Sequence, residues 1–485
     1  MNLESGHIGN PLTEDQWRLI NYLNFKSSCI ADQEVLGIRL DYDKAVKHRD
    51  ELLLAKEEKF AQLVEAMPKV PIISKKTKPK VSHKNDGTLS VHGEAWFKLL
   101  KDNKLSVTFD GVVEVITGYK EANPGSDTQV KAWLDSLGWK PATFDFKRED
   151  DGSERKVPQV RNDGELCDSV KRLIKKDAGV AVLDGLTIIK HRLGVFQGFI
   201  DSAYERDGEW YLTAGVGGLT NTLRFKHRKP IANLPKVGVP WGEEIRGCLI
   251  AGDGQMFCGS DLVSLESTTK RHYMFPHDPD YVAEMSEPGF DEHINLAKFA
   301  GAITQEDEDR YRRGEGKDLK PIRDTFKPAN YAGIYGVREK TLSRQTGMSV
   351  QECKVLLDAY WDRNWAVKEI AGEQVVVGLQ NGEMWLYNPV SGFWISLRYE
   401  KDIFSSLNQS TGVYVFDKWL AICKKLGLQV TMQYHDEHLS ILTPGDEQQH
   451  ENKIREAIDI LNKDIKLNVP IDADSKFGLT YSSVH

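Results

Sequence analysis

The chain of 485 residues has only six cysteines, which are scattered with no Cys-x-x-Cys pair and no Cys/His cluster at zinc-ligand spacing. This argues against a disulfide framework or a zinc-based fold and favours reduced, buried thiols. No uncharged apolar run is long enough to cross a bilayer, since the best candidate, residues 178–189, is interrupted by Asp184. The first twenty residues carry no secretory signal. We therefore expect a soluble, intracellular protein of two to four folding units.

The chain also has no excess of positive charge, and its formal net charge is −8. Net acidity argues at first against a nucleic-acid partner, but a large protein can combine a basic cleft with acidic outer faces. Two basic runs stand out: the lysines between Lys75 and Lys80, and the stretch from Arg224 to Lys229. Each is either a phosphate-binding segment or a solvated loop, and the pattern favours phosphate binding only for the second.

Hydrophobic periodicity divides the chain into helical and strand-rich regions. Residues 42–66 have the spacing of a long amphipathic helix, and residues 81–122 alternate as in a strand-rich insertion. Strand-like segments occur from residue 210 to 266 and again near the C-terminus, and the region between them, about 281–376, has a helical pattern. We expect the two strand-rich regions to form one discontinuous sheet domain in a mixed α+β protein.

Acidic residues interrupt two otherwise apolar strand patterns. Asp261 ends the first pattern, and Asp436 lies between His435 and Glu437 at the tip of a predicted hairpin. Acids in such positions cost free energy unless they are paired or bind a metal. Two aspartates from separate strands can hold two Mg2+ ions about 3.5–4 Å apart, which activate an attacking oxygen and stabilise a leaving one. Taken singly, Asp261 also fits a strand-end cap, and an ordinary polar turn would be the better explanation of the fragment around Asp436.

A candidate phosphate-binding segment lies between the two acids. Arg323, Lys327 and Tyr331 are spaced i, i+4 and i+8, so a helix would place them on one face. Arg and Lys bind phosphate oxygens and Tyr stacks on a base or sugar, which suits a nucleoside triphosphate. If this spacing occurred alone, a basic helix face exposed to solvent would be the better explanation. Pro328, directly after Lys327, predicts that the helix is kinked or begins there.

Three motifs in this order resemble motifs A, B and C of the family A DNA polymerases, most closely those of the bacteriophage branch. They are D-x-x-x-x-E at Asp261–Glu266, R-x-x-x-K-x-x-x-Y at Arg323–Tyr331 followed by Tyr335-Gly336, and H-D-E at His435–Glu437. The resemblance implies a mixed α+β, right-hand fold with an antiparallel-sheet palm, helical fingers and a helical thumb. It divides the chain into an N-terminal segment (1–35), a thumb (36–200) with the insertion at about 81–122, a first part of the palm (201–275), the fingers (276–400) and a second part of the palm (401–485).

The resemblance also implies roles for individual residues. The catalytic centre would contain Asp261, Asp436, Lys327 and Glu437, with Asp261, the Leu262 carbonyl and Asp436 as ligands of two Mg2+ ions, for which Mn2+ could substitute. The incoming dNTP would contact Arg323, Lys327, Tyr331, His293 and Glu266. Primer–template DNA would contact Arg224, Gln409, His435, Asn123, Ser126 and His485. Glu266 and Tyr331 together would crowd the sugar 2′ position and reject ribonucleotides, and the Tyr331 hydroxyl would favour acceptance of dideoxynucleotides.

These roles predict template-directed addition of dNTPs to a primer 3′-hydroxyl by two-metal-ion nucleotidyl transfer. About 35 residues precede the thumb, too few for a 3′–5′ exonuclease domain of ordinary size, so we expect a replicative phage-type enzyme without proofreading in this chain. Besides DNA and dNTPs, a separate exonuclease chain or a processivity factor would be a further partner, and no membrane is expected. The expected location is the cytoplasm of a phage-infected bacterium.

Three other functions fit part of the pattern. A single-subunit RNA polymerase shares the palm, but Glu266 would crowd a ribose 2′-hydroxyl. A non-catalytic scaffold built on a decayed polymerase fold would have no reason to keep the two aspartates together with Arg323 and Lys327. A two-metal phosphohydrolase would require additional Asp or His ligands to close its site.

Overall fold

A computed structural model describes residues 12–162 and 164–485 of the chain. Residues 1–11, the first part of the predicted N-terminal segment, lie outside the described residues. The chain forms two compact units. Unit 1 comprises the described residues up to Glu51 together with His191–His485, and unit 2 comprises Leu52–Lys190.

The described chain forms both helices and strands, and its region between residues 262 and 376 contains no strand. The helices are α1 (Glu14–Leu36), α2 (Tyr42–Ala66), α3 (Val91–Asp102), α4 (Asp127–Ser136), α5 (Asp168–Lys171), α6 (Leu186–Ser202), α7 (Gly242–Arg246), α8 (Leu265–Met274), α9 (Pro279–Met285), α10 (Glu292–Phe299), α11 (Gln305–Arg312), α12 (Lys320–Ile334), α13 (Glu339–Thr346), α14 (Val350–Arg363), α15 (Trp365–Glu373), α16 (Ile403–Lys425) and α17 (Glu447–Ile465). The strands are β1 (Ile38–Leu40), β2 (Val70–Lys76), β3 (Val113–Lys120), β4 (Phe144–Arg148), β5 (Glu154–Pro158), β6 (Arg161–Asn162), β7 (Glu165–Leu166), β8 (Tyr204–Arg206), β9 (Glu209–Leu212), β10 (Val216–Leu219), β11 (Phe225–His227), β12 (Leu249–Ile250), β13 (Met256–Leu262), β14 (Val376–Gly378), β15 (Met384–Asn388), β16 (Phe393–Leu397), β17 (Gln429–Tyr434), β18 (Glu437–Leu442) and β19 (Ala473–Gly478).

The central sheet of unit 1 joins the two strand-rich regions of the sequence. Its four antiparallel strands have the order β17-β18-β13-β19, so β13 is flanked by strands that follow it by more than 170 residues. The sheet packs on α16 and α17 through a core that includes Cys258, Trp419, Ile454 and Leu461. This burial of one apolar sheet face against two helices is the main contribution to stability here. The predicted discontinuous sheet and the mixed α+β fold class are confirmed.

The chain between β13 and β17 is mostly helical, as its periodicity predicts. Helices α10, α12 and α14 pack around a core that includes Phe326, Leu357 and Tyr360. Gly333 permits the close contact of α12 with α14, because a Cβ at this position would lie 2.2 Å from the Tyr360 ring. Strands β14, β15 and β16 form a separate three-stranded sheet of unit 1, and β12, β1, β9 and β8 form another of four strands.

Unit 2 contains the predicted insertion, whose secondary structure differs from the expectation. Its middle is the helix α3, with Trp96 and Leu100 buried on one face, and β3 pairs with β2, which precedes residue 81. Within the predicted insertion, only residues 113–120 therefore form one of the named strands. The larger core of unit 2 includes Leu63 and Trp133. The division of the chain into thumb, palm and fingers stays a prediction.

None of the described helices combines the length and the apolar composition that are needed to span a membrane.

Candidate active site

A row of three carboxylates crosses the central sheet of unit 1. Asp261 on β13 is opposite Glu437 on β18 and opposite Asp474 on β19. Opposed residues of antiparallel strands point to the same face of a sheet, so these side chains are neighbours. Sequence reasoning missed Asp474 because no motif surrounds it, and only its alternation with buried Ala473 could have indicated its place in a strand.

A tight turn adds Asp436 to this row. Strands β17 and β18 pair up to the turn, so only His435 and Asp436 form the loop between them. His435 has a φ of 63°, a left-handed conformation that costs a non-glycine residue about 1 kcal/mol. The backbone carbonyl of Asp436 accepts a hydrogen bond of 3.1 Å from the amide of Leu262. The predicted hairpin is confirmed, and it holds Asp436 beside the end of the strand that carries Asp261.

Burial and the clustered negative charge raise the pKa values of both aspartates. The pKa of Asp261 is raised to about 7, first by partial removal of the carboxyl from water and then by the charges of Asp436, Glu437 and Asp474. Burial also raises the pKa of Asp436, and the nearby charge of Arg224 opposes this shift. The ionised form of each carboxyl is therefore disfavoured, and a bound cation would relieve that cost.

The chemistry of this donor set fits Mg2+. The ion prefers hard oxygen ligands, usually one or two carboxylates, with waters and substrate phosphates as the others. Asp261 is accessible to solvent and Asp436 is half-buried, so ligands from outside the protein can complete the coordination. Across residues 12–162 and 164–485, no group of three or more His, Cys, Asp or Glu side chains is arranged to hold a metal alone. Two carboxylates would leave some coordination positions of a bound ion open, as in a site whose coordination is completed by the substrate. The Leu262 carbonyl stays a predicted ligand.

The raised pKa of Asp261 predicts that metal affinity depends on pH. Because metal binding requires the ionised carboxylate, below about pH 7 the ion must displace a proton. The apparent affinity should fall as the pH decreases from 8 to 6, by up to about tenfold per pH unit below 7. Electron paramagnetic resonance of free Mn2+ would measure this binding at several pH values. The same affinity at pH 6 and pH 8 would contradict the raised pKa.

A basic segment lies next to the turn. Arg224 is close enough for its charge to lower the pKa of His435 as well as that of Asp436. The ring centroids of His435 and His227 are 5.4 Å apart in an edge-on contact. Burial lowers the pKa of both histidines to about 4, so both are neutral at pH 7. Two of the predicted DNA contacts, Arg224 and His435, are therefore brought beside the carboxylates.

The predicted triphosphate-binding residues lie on one helix. α12 is continuous from Lys320 to Ile334 and contains Pro328 in its interior, so the prediction that the helix begins at Pro328 is wrong. Its start is set instead by Pro321 in the first turn, where a missing backbone donor costs nothing. Arg323, Lys327 and Tyr331 consequently share one face of α12, as their spacing predicts.

His293 on α10 lies against this face. Its ring centroid is 5.6 Å from that of Tyr331, and the ammonium nitrogen of Lys327 is 6.0 Å from the Tyr331 ring centroid. Arg323 donates a hydrogen bond of 2.6 Å from Nε to Asp291, the N-cap of α10. The structure thus brings together four of the five predicted dNTP contacts around the packed pair of α10 and α12.

Asn330 fixes the proton of the His293 ring. Its side-chain amide donates to Nδ1 of His293 at 3.1 Å, and an amide nitrogen can only donate, so Nδ1 is the acceptor. Burial lowers the pKa of His293, and the charges of Glu292 and Asp291 only partly oppose this shift. The neutral ring therefore keeps its proton on Nε2, which remains a hydrogen-bond donor. The motif contains Asn330, but nothing in the sequence indicated this contact.

Glu266, the fifth predicted dNTP contact, is hydrogen-bonded to Tyr335, whereas Tyr331 is the residue expected to crowd the sugar together with it. The hydroxyl of Tyr335 donates to Oε1 of Glu266 at 3.1 Å, and Nε2 of Gln409 donates to the same hydroxyl at 3.3 Å. Tyr331 is 55% exposed and lies against His293 instead. Tyr335 follows one helical turn after Tyr331, and its place in the motif could have indicated it. The Glu266–Tyr335–Gln409 cluster links α8, the end of α12 and α16.

The C-terminal residue reaches the carboxylate row. Nε2 of His485 lies 3.0 Å from Oε1 of Glu437. The tail can approach β13 this closely because residue 259 is glycine: a Cβ there would lie 2.9 Å from the backbone carbonyl oxygen of Val484. His485 and Glu437 therefore belong to the same part of the site, and contact of His485 with DNA stays a prediction.

Asn123 and Ser126 belong to unit 2, where both have local structural roles. The Ser126 hydroxyl caps α4 by accepting from the amide of Gln129 at 3.5 Å. Oδ1 of Asn123 accepts from the amide of Gly125 at 2.8 Å. These bonds account for both residue types, and contact of either residue with DNA stays a prediction.

Comparison with known proteins gives a likeness of fold. No family model and no curated protein matches the sequence. Among solved structures, the chain is similar to the POL domain of Pol1 from M. smegmatis, solved in complex with DNA primer-template and dNTP. The TM-score is 0.62 at 18% sequence identity, and the likeness covers 97% of this chain and 72% of that chain. The protein therefore has a polymerase-like fold.

Proposed function

We propose that the protein is a template-directed DNA polymerase that adds dNTPs to a primer 3′-hydroxyl. The observation that carries this proposal is the position of Asp436 beside Asp261, where each carboxyl has a raised pKa. The fold around them is similar to that of a polymerase domain solved with primer-template and dNTP. Carboxylates whose pKa values are raised by burial and by neighbouring negative charge are candidates for a functional site.

Asp261 and Asp436 would hold two Mg2+ ions. When bound, the ions would activate the primer 3′-hydroxyl and neutralise the charge that develops on the α-phosphate and the leaving pyrophosphate. Asp261 is fixed by a strand paired on both sides, and Asp436 by the hydrogen bond of its carbonyl to Leu262. Ligands held in this way need little reorganisation during the reaction.

The face of α12 would bind the triphosphate. Lys327 supplies a positive charge, and neutral His293 supplies a hydrogen bond from Nε2. Arg323 would exchange its bond with Asp291 for phosphate oxygens, to which a guanidinium binds in a forked geometry. Tyr331 is exposed beside these groups, where its ring could stack on the base or the sugar.

The Glu266–Tyr335–Gln409 cluster would select the sugar. Glu266 and Tyr335 restrain each other through their hydrogen bond, so neither side chain can move aside easily for a 2′-hydroxyl. Gln409 bonds to the same hydroxyl and would lie near the terminal base pair. Arg224, His435 and His485 lie beside the carboxylates, and they would contact the phosphates of primer and template.

Finer features of the proposal come from the resemblance alone. They are a replicative enzyme of the bacteriophage type, Mn2+ as a substitute ion, DNA contacts by Asn123 and Ser126, and a separate exonuclease or processivity factor as a partner. A mismatched primer terminus tests the proofreading expectation, because its removal by this chain alone would contradict it.

Primer extension on a defined template with Mg2+ tests the proposed function. We expect extension with dNTPs, little or none with rNTPs, and chain termination with ddNTPs, since the Tyr331 hydroxyl can replace the missing 3′-hydroxyl. Preferential use of rNTPs would favour an RNA polymerase. Phosphate release without extension would favour a phosphohydrolase.

Removal of the Glu266 side chain is expected to weaken sugar discrimination. In Glu266→Ala, the ratio of kcat/KM for a dNTP to that for the matching rNTP should fall by about 10- to 100-fold, because a shape-based rejection of one small group is worth about 1–3 kcal/mol. Tyr335→Phe keeps the ring and removes the hydrogen bond, so a smaller loss is expected. Tyr331→Phe is the control and should leave the ratio unchanged. An unchanged ratio in Glu266→Ala would assign the selection to other residues.

A further inference from the structure

A groove of about 850 Å³ in unit 1 lies between α1, α16 and α17 and is separate from the candidate active site. One end is aromatic: the ring centroids of Tyr22, Phe393 and Tyr414 are 5.2–5.8 Å from one another. Phe25 and Ile422 continue the wall, and both are only partly buried. We call it the α1–α16–α17 groove. Its volume and apolar walls are in the range of sites that bind a ligand.

The polar group at the bottom of the groove is already satisfied. Asp417 is 3% exposed, and its carboxylate accepts a hydrogen bond of 2.6 Å from Nζ of Lys26 and another from the hydroxyl of Tyr22. A buried ion pair of this kind is neutral as a whole, so the groove does not require a cationic ligand. The preference of the groove for one ligand over another must then come from its apolar walls and from the charges at its edge.

The edge of the groove has an excess of positive charge. Lys418 is paired with Asp464 at 3.4 Å, and Arg18 donates to the backbone carbonyl of Gly392 at 2.7 Å. Lys425 and Lys463 are exposed and form no ion pair with any residue in the described ranges. Ile460, one turn before Lys463 on α17, is 39% exposed beside them. An exposed apolar wall next to unpaired lysines favours a ligand that is both apolar and acidic.

We propose that the α1–α16–α17 groove binds an acidic peptide segment of a partner protein. A large apolar side chain of the peptide would fill the aromatic end, and flanking carboxylates would pair with Lys425 and Lys463. Binding of this type takes most of its energy from a buried anchor and its specificity from the charges around it. Nucleic acid is a poorer fit, because its phosphates require a continuous row of cations, whereas this edge combines two unpaired lysines with the acidic Asp464. The proposal does not depend on the polymerase assignment.

Selection from a random peptide library tests the proposal. The full chain serves as bait, and the double variant Lys425→Glu/Lys463→Glu serves for counter-selection. Enriched peptides should contain at least two carboxylates and one large apolar residue. Basic or uncharged enriched peptides, or no enrichment over the double variant, would overturn the proposal.

Fluorescence anisotropy with an enriched peptide locates the binding. We expect at least about tenfold weaker binding to Lys425→Glu/Lys463→Glu and to Ile460→Ser. The matched control is Lys140→Glu/Lys175→Glu, which makes the same charge change on exposed lysines of unit 2 and should bind as the unchanged chain does. Peptides in which Asn replaces Asp, or Ser replaces the apolar residue, should also bind at least tenfold more weakly. Equal binding by the two double variants would place the peptide elsewhere and overturn the proposal. Equal thermal unfolding midpoints would show that all variants are folded.

Discussion

Replacing either Asp261 or Asp436 with asparagine is expected to slow primer extension by about 1000-fold or more, which corresponds to about 4 kcal/mol of transition-state stabilisation. Asparagine has nearly the shape of aspartate, but it loses the charge that holds the metal ions. One aspartate supplies charge from a strand and the other from a turn, so neither can replace the other. A single-turnover measurement with a saturating dNTP isolates this effect from DNA binding.

Asp474→Asn is the matched control, because it removes a charge from the same row without removing a predicted ligand. We expect its activity to fall by less than about tenfold. The three variants should unfold at temperatures no lower than that of the unchanged chain, since the carboxylates of the row repel one another. Activity of Asp261→Asn or Asp436→Asn within tenfold of the unchanged chain would contradict their role.

Lys327→Ala is expected to have the second-largest effect. The kcat/KM for dNTP incorporation should fall by about 100-fold or more, because one preorganised donor to a charged transition state contributes about 3 kcal/mol. Lys327 forms no ion pair with a described residue and lies 6.0 Å from the Tyr331 ring, so its charge is free for phosphate. Pre-steady-state incorporation of a single nucleotide measures the change.

The affinity for primer–template separates this effect from a general loss of positive charge. It should be unchanged in Lys327→Ala, since the helix face would bind the triphosphate and not the duplex. Lys354→Ala removes an exposed lysine of α14 that is paired with Asp358. It should leave both the kcat/KM for dNTP incorporation and the affinity for primer–template unchanged. If Lys327→Ala reduced DNA binding and left incorporation from saturated complexes intact, α12 would be a DNA-binding helix.

The fold class and the main carboxylates could be predicted because their signals are local. The hairpin around Asp436 is visible as two apolar runs around a polar pair, and the common face of Arg323, Lys327 and Tyr331 follows from helical spacing. Pro328 shows the limit of a local rule. It suggested a helix start, but Pro321 and the packing of α12 on α14 set the helix bounds.

Contacts between distant segments could not be predicted. The bond between Tyr335 and Glu266 joins residues 69 positions apart, and that between Asn330 and His293 joins residues 37 apart. Asp474 becomes a neighbour of Asp261 only through strand pairing. These features depend on tertiary packing, which overrides local propensity.

The most direct test of the central claim is whether the template chooses the nucleotide. Four primer–templates that differ only in the first unpaired template base would each be incubated with one dNTP at a time and Mg2+. We predict that only the complementary dNTP is added in each case, and that Asp436→Asn adds none. Addition of the same nucleotide on all four templates, addition without a template, or equal activity of Asp436→Asn would contradict it.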